Sequence, residues 1–324
     1  MLIGIWAYIL NLASIAVLAF AMGIVVLSVC SPLVIKQFGE LSAKHRKVAL
    51  WIWVLGPWSL GLLTTLLFTP FSQKMVVSGE ISNVAHWHHF YVFHAESWHG
   101  IVLLAFLLFT VWRFARVVQR ARSQQKAMKT LCMLSTFRDK CFGSLPVFLV
   151  NSDISTAFTA GLAKPGCYIS TGLIKQLTKN ERDIVVRHEL AHVDCRDPLV
   201  TVVFTICSSF YPKSVRRQQL RQFLLVTEQL ADQRATRRHA ASDVASALIK
   251  VARLQRVSPN LFTGAPVSYF GADHLSERIQ SLLATNNTKA FPVLGYLGAM
   301  AFLLAASITT IDGLHHLVEF VFTH

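Results

Sequence analysis

The first charged residue of this chain is Lys36. Before it lies an apolar run from about Ile3 to Cys30. That is long enough to cross a bilayer, since roughly 20 helical residues span the hydrocarbon core. Such a run is satisfied as a helix whose backbone bonds close internally and whose side chains face lipid. It lacks the basic flank of a signal peptide and exceeds the usual length of its apolar region, so it reads as a span. Three further apolar segments follow: 48–68, which contains Gly56-Pro57; 95–111; and 291–311. The third is the least apolar, with Glu96 and His99 near its start and Arg113 just beyond its end. With 53% hydrophobic residues and a mean hydropathy of +0.47, the 324-residue chain is outside the usual range of soluble domains. The expected fold is an α-helical membrane protein with four transmembrane helices, three before and one after a separate domain. Residues 1–115 form the transmembrane region, with spans at about 3–30, 48–68 and 95–111. Residues 116–290 form the intervening domain, and residues 291–324 hold the fourth span and a short tail.

The basic residues orient these spans, because Lys and Arg accumulate in cytoplasmic loops. Residues 31–47 carry Lys36, Lys44, Arg46 and Lys47 against Glu40, whereas 69–94 carry only Lys74 and Glu80. Residues 116–290 hold 25 of the 31 Lys and Arg, and so nearly all of the net charge of +14. The consistent solution places the N- and C-termini outside and residues 116–290 in the cytoplasm. Cys132, Cys141, Cys167, Cys195 and Cys207 then lie in the cytoplasmic part and Cys30 at the inner membrane edge, where thiols stay reduced. None sits at zinc-finger spacing.

The chemistry is carried by "RHELAHVDCRD", Arg187 to Asp197. His188 and His192 are four apart, and residues at i and i+4 share a helix face. Two imidazole nitrogens can therefore meet one metal, with Glu189 beside them as a base for a metal-bound water. The helix has a legible start: "TKNE", Thr178 to Glu181, has the capping-box pattern. Ile184, Val185 and Leu190 supply its buried stripe, and Asp197-Pro198 ends it. Catalytic zinc takes three protein ligands and an open position. Glu228, in "TEQLAD", is the candidate third ligand, giving one Zn2+ per chain. Asp197 and Asp232 are candidates to accept the free ring N–H of each ligand histidine, or are ordinary helix-end carboxylates. His239, in "RRHA", is read as a surface histidine rather than an oxyanion donor.

"GLAKPGCYISTGLIKQLTKNERDIVVRHELAHVDCRDPL", "FYPKSVRRQQLRQFLLVTEQLADQRA" and "LSERIQSLL" together resemble the membrane-embedded metallopeptidases of the BlaR/MecR type. The resemblance implies an α+β gluzincin-type zinc metallopeptidase domain, with His188, His192 and Glu228 as ligands and Glu189 as general base. It also implies a protein substrate, either a BlaI/MecI-type transcriptional repressor or the chain itself, cleaved in response to an external signal. About a dozen residues follow Ile311. The penicillin-binding sensor domain of the antibiotic-sensing members is thus expected to be lacking, and the beta-lactam signal is not carried over. HtpX-like proteases share the motifs but place two spans on either side of them, whereas three plus one matches the BlaR/MecR type. The rival functions are a housekeeping quality-control protease and a non-catalytic, zinc-containing transmembrane receptor.

Other stretches leave alternatives open. "FTAGLAKPGCYIST" reads as two strands about an Ala-Lys-Pro-Gly turn. Cys167–Thr171 then serves either as an edge strand that receives substrate or as part of a structural hairpin. Residues 198–212 are apolar but too short to span, and form either a core helix or one that dips into the inner leaflet. The arginines of 216–238 are read as lipid-facing or solvated. Direct nucleic-acid binding is not expected, because no nucleic-acid-binding motif is present. Outside the membrane, His86, His88, His89, His94 and His99 form either a sensor for pH or for an inducing metal ion, or part of an interfacial belt with Trp87, Phe90, Tyr91, Phe93 and Trp98. Association into a homodimer is left open. The expected location is the bacterial inner membrane.

Overall fold

A computed structural model describes residues 1–69, 91–133, 135–137, 147–257, 268–269, 274–284 and 293–322. The chain opens with the helices α1 (Ile5–Val29), α2 (Ser31–Phe38), α3 (Ala43–Leu67) and α4 (Trp98–Met133), and α11 (Val293–Phe322) comes last among the described elements. Two short strands, β1 (Leu2–Ile3) and β2 (Val92–Phe93), pair antiparallel and tie the start of α1 to the approach to α4. Between α4 and α11 come β3 (Ser135–Phe137), β4 (Val147–Val150), β5 (Ala157–Ala160), β6 (Gly166–Ser170), α5 (Thr171–Gln176), α6 (Lys179–Asp194), α7 (Asp197–Ser208), α8 (Lys213–Ala235), α9 (Ala241–Val257), β7 (Ser268–Tyr269) and α10 (Leu275–Leu283).

Among the described residues, α1, α3 and the Trp98–Ser123 part of α4 are long and apolar enough to cross a membrane. α11 contains a shorter apolar run, Gly295–Ile311. α3 continues through Pro57 without a break. It packs closely on α1 because small residues let the backbones approach: a Cβ on Gly61 would stand 2.8 Å from the Ala16 carbonyl oxygen. The third span and the start of the next domain are one 36-residue helix, so the boundary expected at residue 115 falls inside α4. The basic residues past the apolar run do not end the helix. Arg113 and Arg116 lie over the Trp112 ring, at 5.6 and 5.1 Å from its centroid.

The sheet has the order β3-β4-β6-β5-β7, with β4 and β6 parallel and the other pairs antiparallel. The hairpin read from the Ala-Lys-Pro-Gly turn is formed by β5 and β6, in the register Phe158↔Tyr168. Gly161 turns it with φ +110, which only glycine adopts without strain. The edge-strand reading of Cys167–Thr171 is overturned. β6 bonds to β4 on one side and β5 on the other, so it has no free edge for substrate, and Thr171 already begins α5.

α6 lies against this sheet. Ile184, Val185 and Val186 are fully buried with Ala157, Cys167 and Ile169 of the strands and Val244, Leu248 and Val251 of α9. The capping box forms as the sequence indicates: Thr178 Oγ1 accepts from the Glu181 amide at 3.3 Å, and Glu181 Oε2 accepts from the Thr178 amide at 2.7 Å. α7 (Asp197–Ser208) leaves the metal region and packs between α8 and α3, with the Phe204 ring 4.0 Å from that of Phe223 and 5.2 Å from that of Trp51. Just beyond it, Phe210 sits among the rings of Phe20, Trp58, Phe106 and Phe109 of α1, α3 and α4.

Replacing Thr178 with Ala is expected to cost about 1 kcal/mol of stability, the usual value of a lost N-cap, read by denaturant unfolding of the detergent-solubilised chain. Burial acts to raise the Glu181 pKa, but hydrogen bonds from Lys250 and Thr178 outweigh it and hold the pKa below its ordinary value. A depressed carboxylate stabilises the fold above its unfolded pKa and loses that contribution as pH falls through its folded one. The destabilisation caused by Glu181→Gln should therefore be largest at neutral pH and shrink on acidification below the ordinary glutamate range.

Candidate metal centre

α6 presents His188 and His192 one turn apart, and both are fully buried. α8 crosses it and presents Glu228 and Asp232, also one turn apart. The two pairs interlock. His188 Nδ1 lies 2.9 Å from Asp232 Oδ1, and His192 Nδ1 lies 2.8 Å from Asp197 Oδ2. A carboxylate on each Nδ1 holds the proton there, which turns each Nε2 lone pair inward. The two Nε2 atoms are 3.2 Å apart, and the Glu228 oxygens lie 3.3 Å from that of His188 and 3.6 Å from that of His192.

Two acceptor nitrogens and a carboxylate facing one another can hold a cation between them. Ligands at zinc-like bond lengths in a tetrahedron stand roughly 3.3 Å apart, so the spacing fits. Ligand atoms of His188, His192 and Glu228 all lie within 4.8 Å of one another, and among the described residues they form the one such set. The electrostatics point the same way. Burial opposes protonation of His188, yet hydrogen bonds and charge from Asp232 and Glu228 push its pKa up to about 9. The field between these groups thus favours positive charge, and a divalent ion satisfies it with both imidazoles neutral.

Glu189 is fully buried beside the set. The Thr159 hydroxyl, on β5, lies 2.8 Å from Glu189 Oε2 and 2.9 Å from its main-chain oxygen. Glu189 Oε1 is buried and without a hydrogen-bond partner among the described residues. Burial raises the Glu189 pKa, partly offset by the charge of His188 and His192. One oxygen is therefore pinned, while the other is held unsolvated and basic.

Three residues that the sequence did not single out complete the site. Arg278 of α10 is 1% exposed. It donates from Nε and Nη2 to both Asp232 oxygens at 2.8 and 2.7 Å, and from Nη1 reaches Glu228 Oε2 at 3.2 Å. Burial alone would raise the pKa of both carboxylates, but the guanidinium and the histidines hold them well below the usual range. Thr159 grips Glu189, and Lys47 of α3 reaches Asp197 Oδ1 at 3.1 Å. Only Arg278 had a sequence signal, as the lone arginine in "LSERIQSLL". Arg196 adopts a left-handed backbone, φ 50, between α6 and α7, and this tight turn brings Asp197 back onto His192.

The other candidates fall elsewhere. His239 Nε2 donates to Asp183 Oδ2 at 2.7 Å and is no part of the set. His99 pairs with the Ser97 hydroxyl at 2.8 Å and stacks near Trp98, and His94 is exposed. Neither belongs to a metal-holding cluster among the described residues. His86, His88 and His89 lie outside the described residues.

A buried His-His-Glu set with a carboxylate at its side, packed against helices fit to cross a bilayer, defines a membrane metallopeptidase. A family model described as BlaR1 peptidase M56 matches residues 71–282, and the chain belongs to that family. A search of curated proteins gives no match.

Asp232→Ala would leave a fully buried guanidinium short of its main partner. It is expected to destabilise the chain by about 3–5 kcal/mol, the cost of breaking a buried ion pair, measured by denaturant unfolding.

Proposed function

We propose that the chain is a zinc endopeptidase of a bacterial inner membrane, with its active site on the cytoplasmic side. The observation that carries this reading is the pair of inward-facing Nε2 atoms, 3.2 Å apart, closed by Glu228 beside a buried, half-pinned Glu189. When bound, zinc would polarise the scissile carbonyl and make water a stronger acid. Glu189 Oε1 takes a proton from the attacking water and returns it to the leaving amine. Thr159 keeps Oε2 from turning into that role. His188, His192 and Glu228 hold the ion, while Asp232 and Asp197 keep each imidazole proton on Nδ1. A non-catalytic receptor would have no use for a fully buried, half-pinned base at this position.

Topology is supported by contacts that cross the sequence. The basic 31–47 segment packs on the peptidase helices, with Phe38 and Leu41 in one cluster with Phe223 and Val226, so both lie on one side of the membrane. By the basic-residue rule that side is the cytoplasm. α11 serves as the fourth span. It buries Ile311 with Ile15 and Leu60, and a buried Thr64–Ser307 hydroxyl pair 2.7 Å apart joins it to α3. A substrate of the BlaI/MecI type, or the chain itself, fits the family.

Wild type and Glu189→Gln are co-expressed with small candidate repressors to follow cleavage, and each is then purified in detergent for its bound metal to be quantified. Cleavage is expected in wild type and at least a hundredfold reduced in the variant, in line with removal of a general base, with zinc retained in both. Equal cleavage by the two proteins would overturn the mechanism.

A further inference from the structure

The spans and the metal centre meet at Lys47. Arg46 and Lys47 lie in the first turns of α3, one of the helices long and apolar enough to cross a membrane. Lys47 Nζ lies 3.1 Å from Asp197 Oδ1, and the other oxygen of that carboxylate holds His192 Nδ1 at 2.8 Å. The Asp197 side chain is 6% exposed and that of Lys47 19%, so water competes little for either. The ammonium also stands 5.6 Å from the centre of the Phe223 ring on α8. Arg46, next to it, donates to Gln229 Oε1 at 3.5 Å, adjacent to Glu228, and is itself anchored on the Phe38 and Leu41 carbonyls. Two neighbouring residues of one span thus reach Asp197, which holds His192, and Gln229, which follows Glu228 in α8. α7 makes a second link, with Asp197 at its start and Phe210, just past its end, wedged among rings of three spans.

We propose that Lys47 is a positioning residue for the metal centre, through which the placement of span α3 sets the affinity and geometry of the ion. The inference rests on the metallopeptidase reading above. Asp197 has two oxygens and two side-chain partners among the described residues, Lys47 and His192. With the ammonium in place, the carboxylate is held aimed at His192 Nδ1 and fixes the ring plane and tautomer. Without it, a nearly buried carboxylate loses one of its two side-chain partners among the described residues and can turn away from the imidazole. A shift of α3 that lengthens the Lys47–Asp197 contact acts on His192 in the same sense. The metal ligands themselves need not be touched from outside the membrane.

The test uses the full chain in detergent or nanodiscs. Lys47→Met, Lys47→Arg, Asp197→Asn and the Lys47→Met/Asp197→Asn double variant are compared with wild type. Zinc affinity is read by competition with a chromophoric chelator, and site geometry by the visible spectrum of the Co(II)-loaded protein. Lys47→Met is expected to weaken zinc on the order of tenfold to a hundredfold, as loss of an outer-shell partner does, and to change the cobalt spectrum. Lys47→Arg restores most of the affinity, and the double variant binds no more weakly than Asp197→Asn alone. Should Lys47→Met fail to fold by circular dichroism, Lys47→Gln replaces it in the same comparison. Unchanged affinity and spectrum on loss of the ammonium would overturn the inference, as would losses that simply add in the double variant. Wild type that binds no zinc would overturn the metallopeptidase reading as well; zinc in wild type with indifference to Lys47 would overturn this inference alone.

Discussion

The centre of this structure depends on a buried guanidinium. Arg278 is sealed from water with both Asp232 oxygens on its fork and Glu228 on its third nitrogen. A charge so placed is stable only when fully compensated, and this compensation aligns the site. Asp232, fixed by Arg278, fixes the Nδ1 side of His188; Glu228, held from the same group, closes the other side. Four ionisable groups from α6, α8 and α10 are locked in one relative arrangement, and what remains unbalanced among them is negative. A cation is what such a centre is shaped to receive.

His192 is held differently. Asp197 comes from the start of α7, after the left-handed turn at Arg196, and its own partner is Lys47 from a span. One imidazole is therefore oriented from within the peptidase part and the other from the membrane part. The aromatic packing of Phe210 against the spans and of Phe223 against Phe204 and Trp51 makes this junction dense. Peptidase and membrane parts share a core, and displacement of one is felt by the other.

Local features were legible in the sequence, because their physics is local. The capping box at Thr178, the four-residue spacing of His188 and His192, the β5–β6 hairpin and the apolar spans all depend on residues close in the chain. Glu228 was legible because its spacing to Asp232 repeats the same helical face. Arg278, Thr159 and Lys47 were not. Their partners lie 46, 30 and 150 positions away, and a lone Arg or Lys in an amphipathic helix looks like a solvated charge until the fold surrounds it. The same limit explains the edge-strand reading of Cys167–Thr171: which strand is internal depends on β4 arriving beside β6, and no local pattern encodes that pairing. That α4 runs on past its apolar stretch is likewise not encoded locally, because arginine past an apolar run ends a span but need not end a helix.

The most direct test is X-ray absorption at the zinc edge of the purified full-length chain. One zinc per chain with two imidazole nitrogens and oxygen ligands in its first shell is predicted, with the imidazole contribution halved in His192→Ala. A sulfur ligand, or no zinc in protein purified without chelators, would contradict the account.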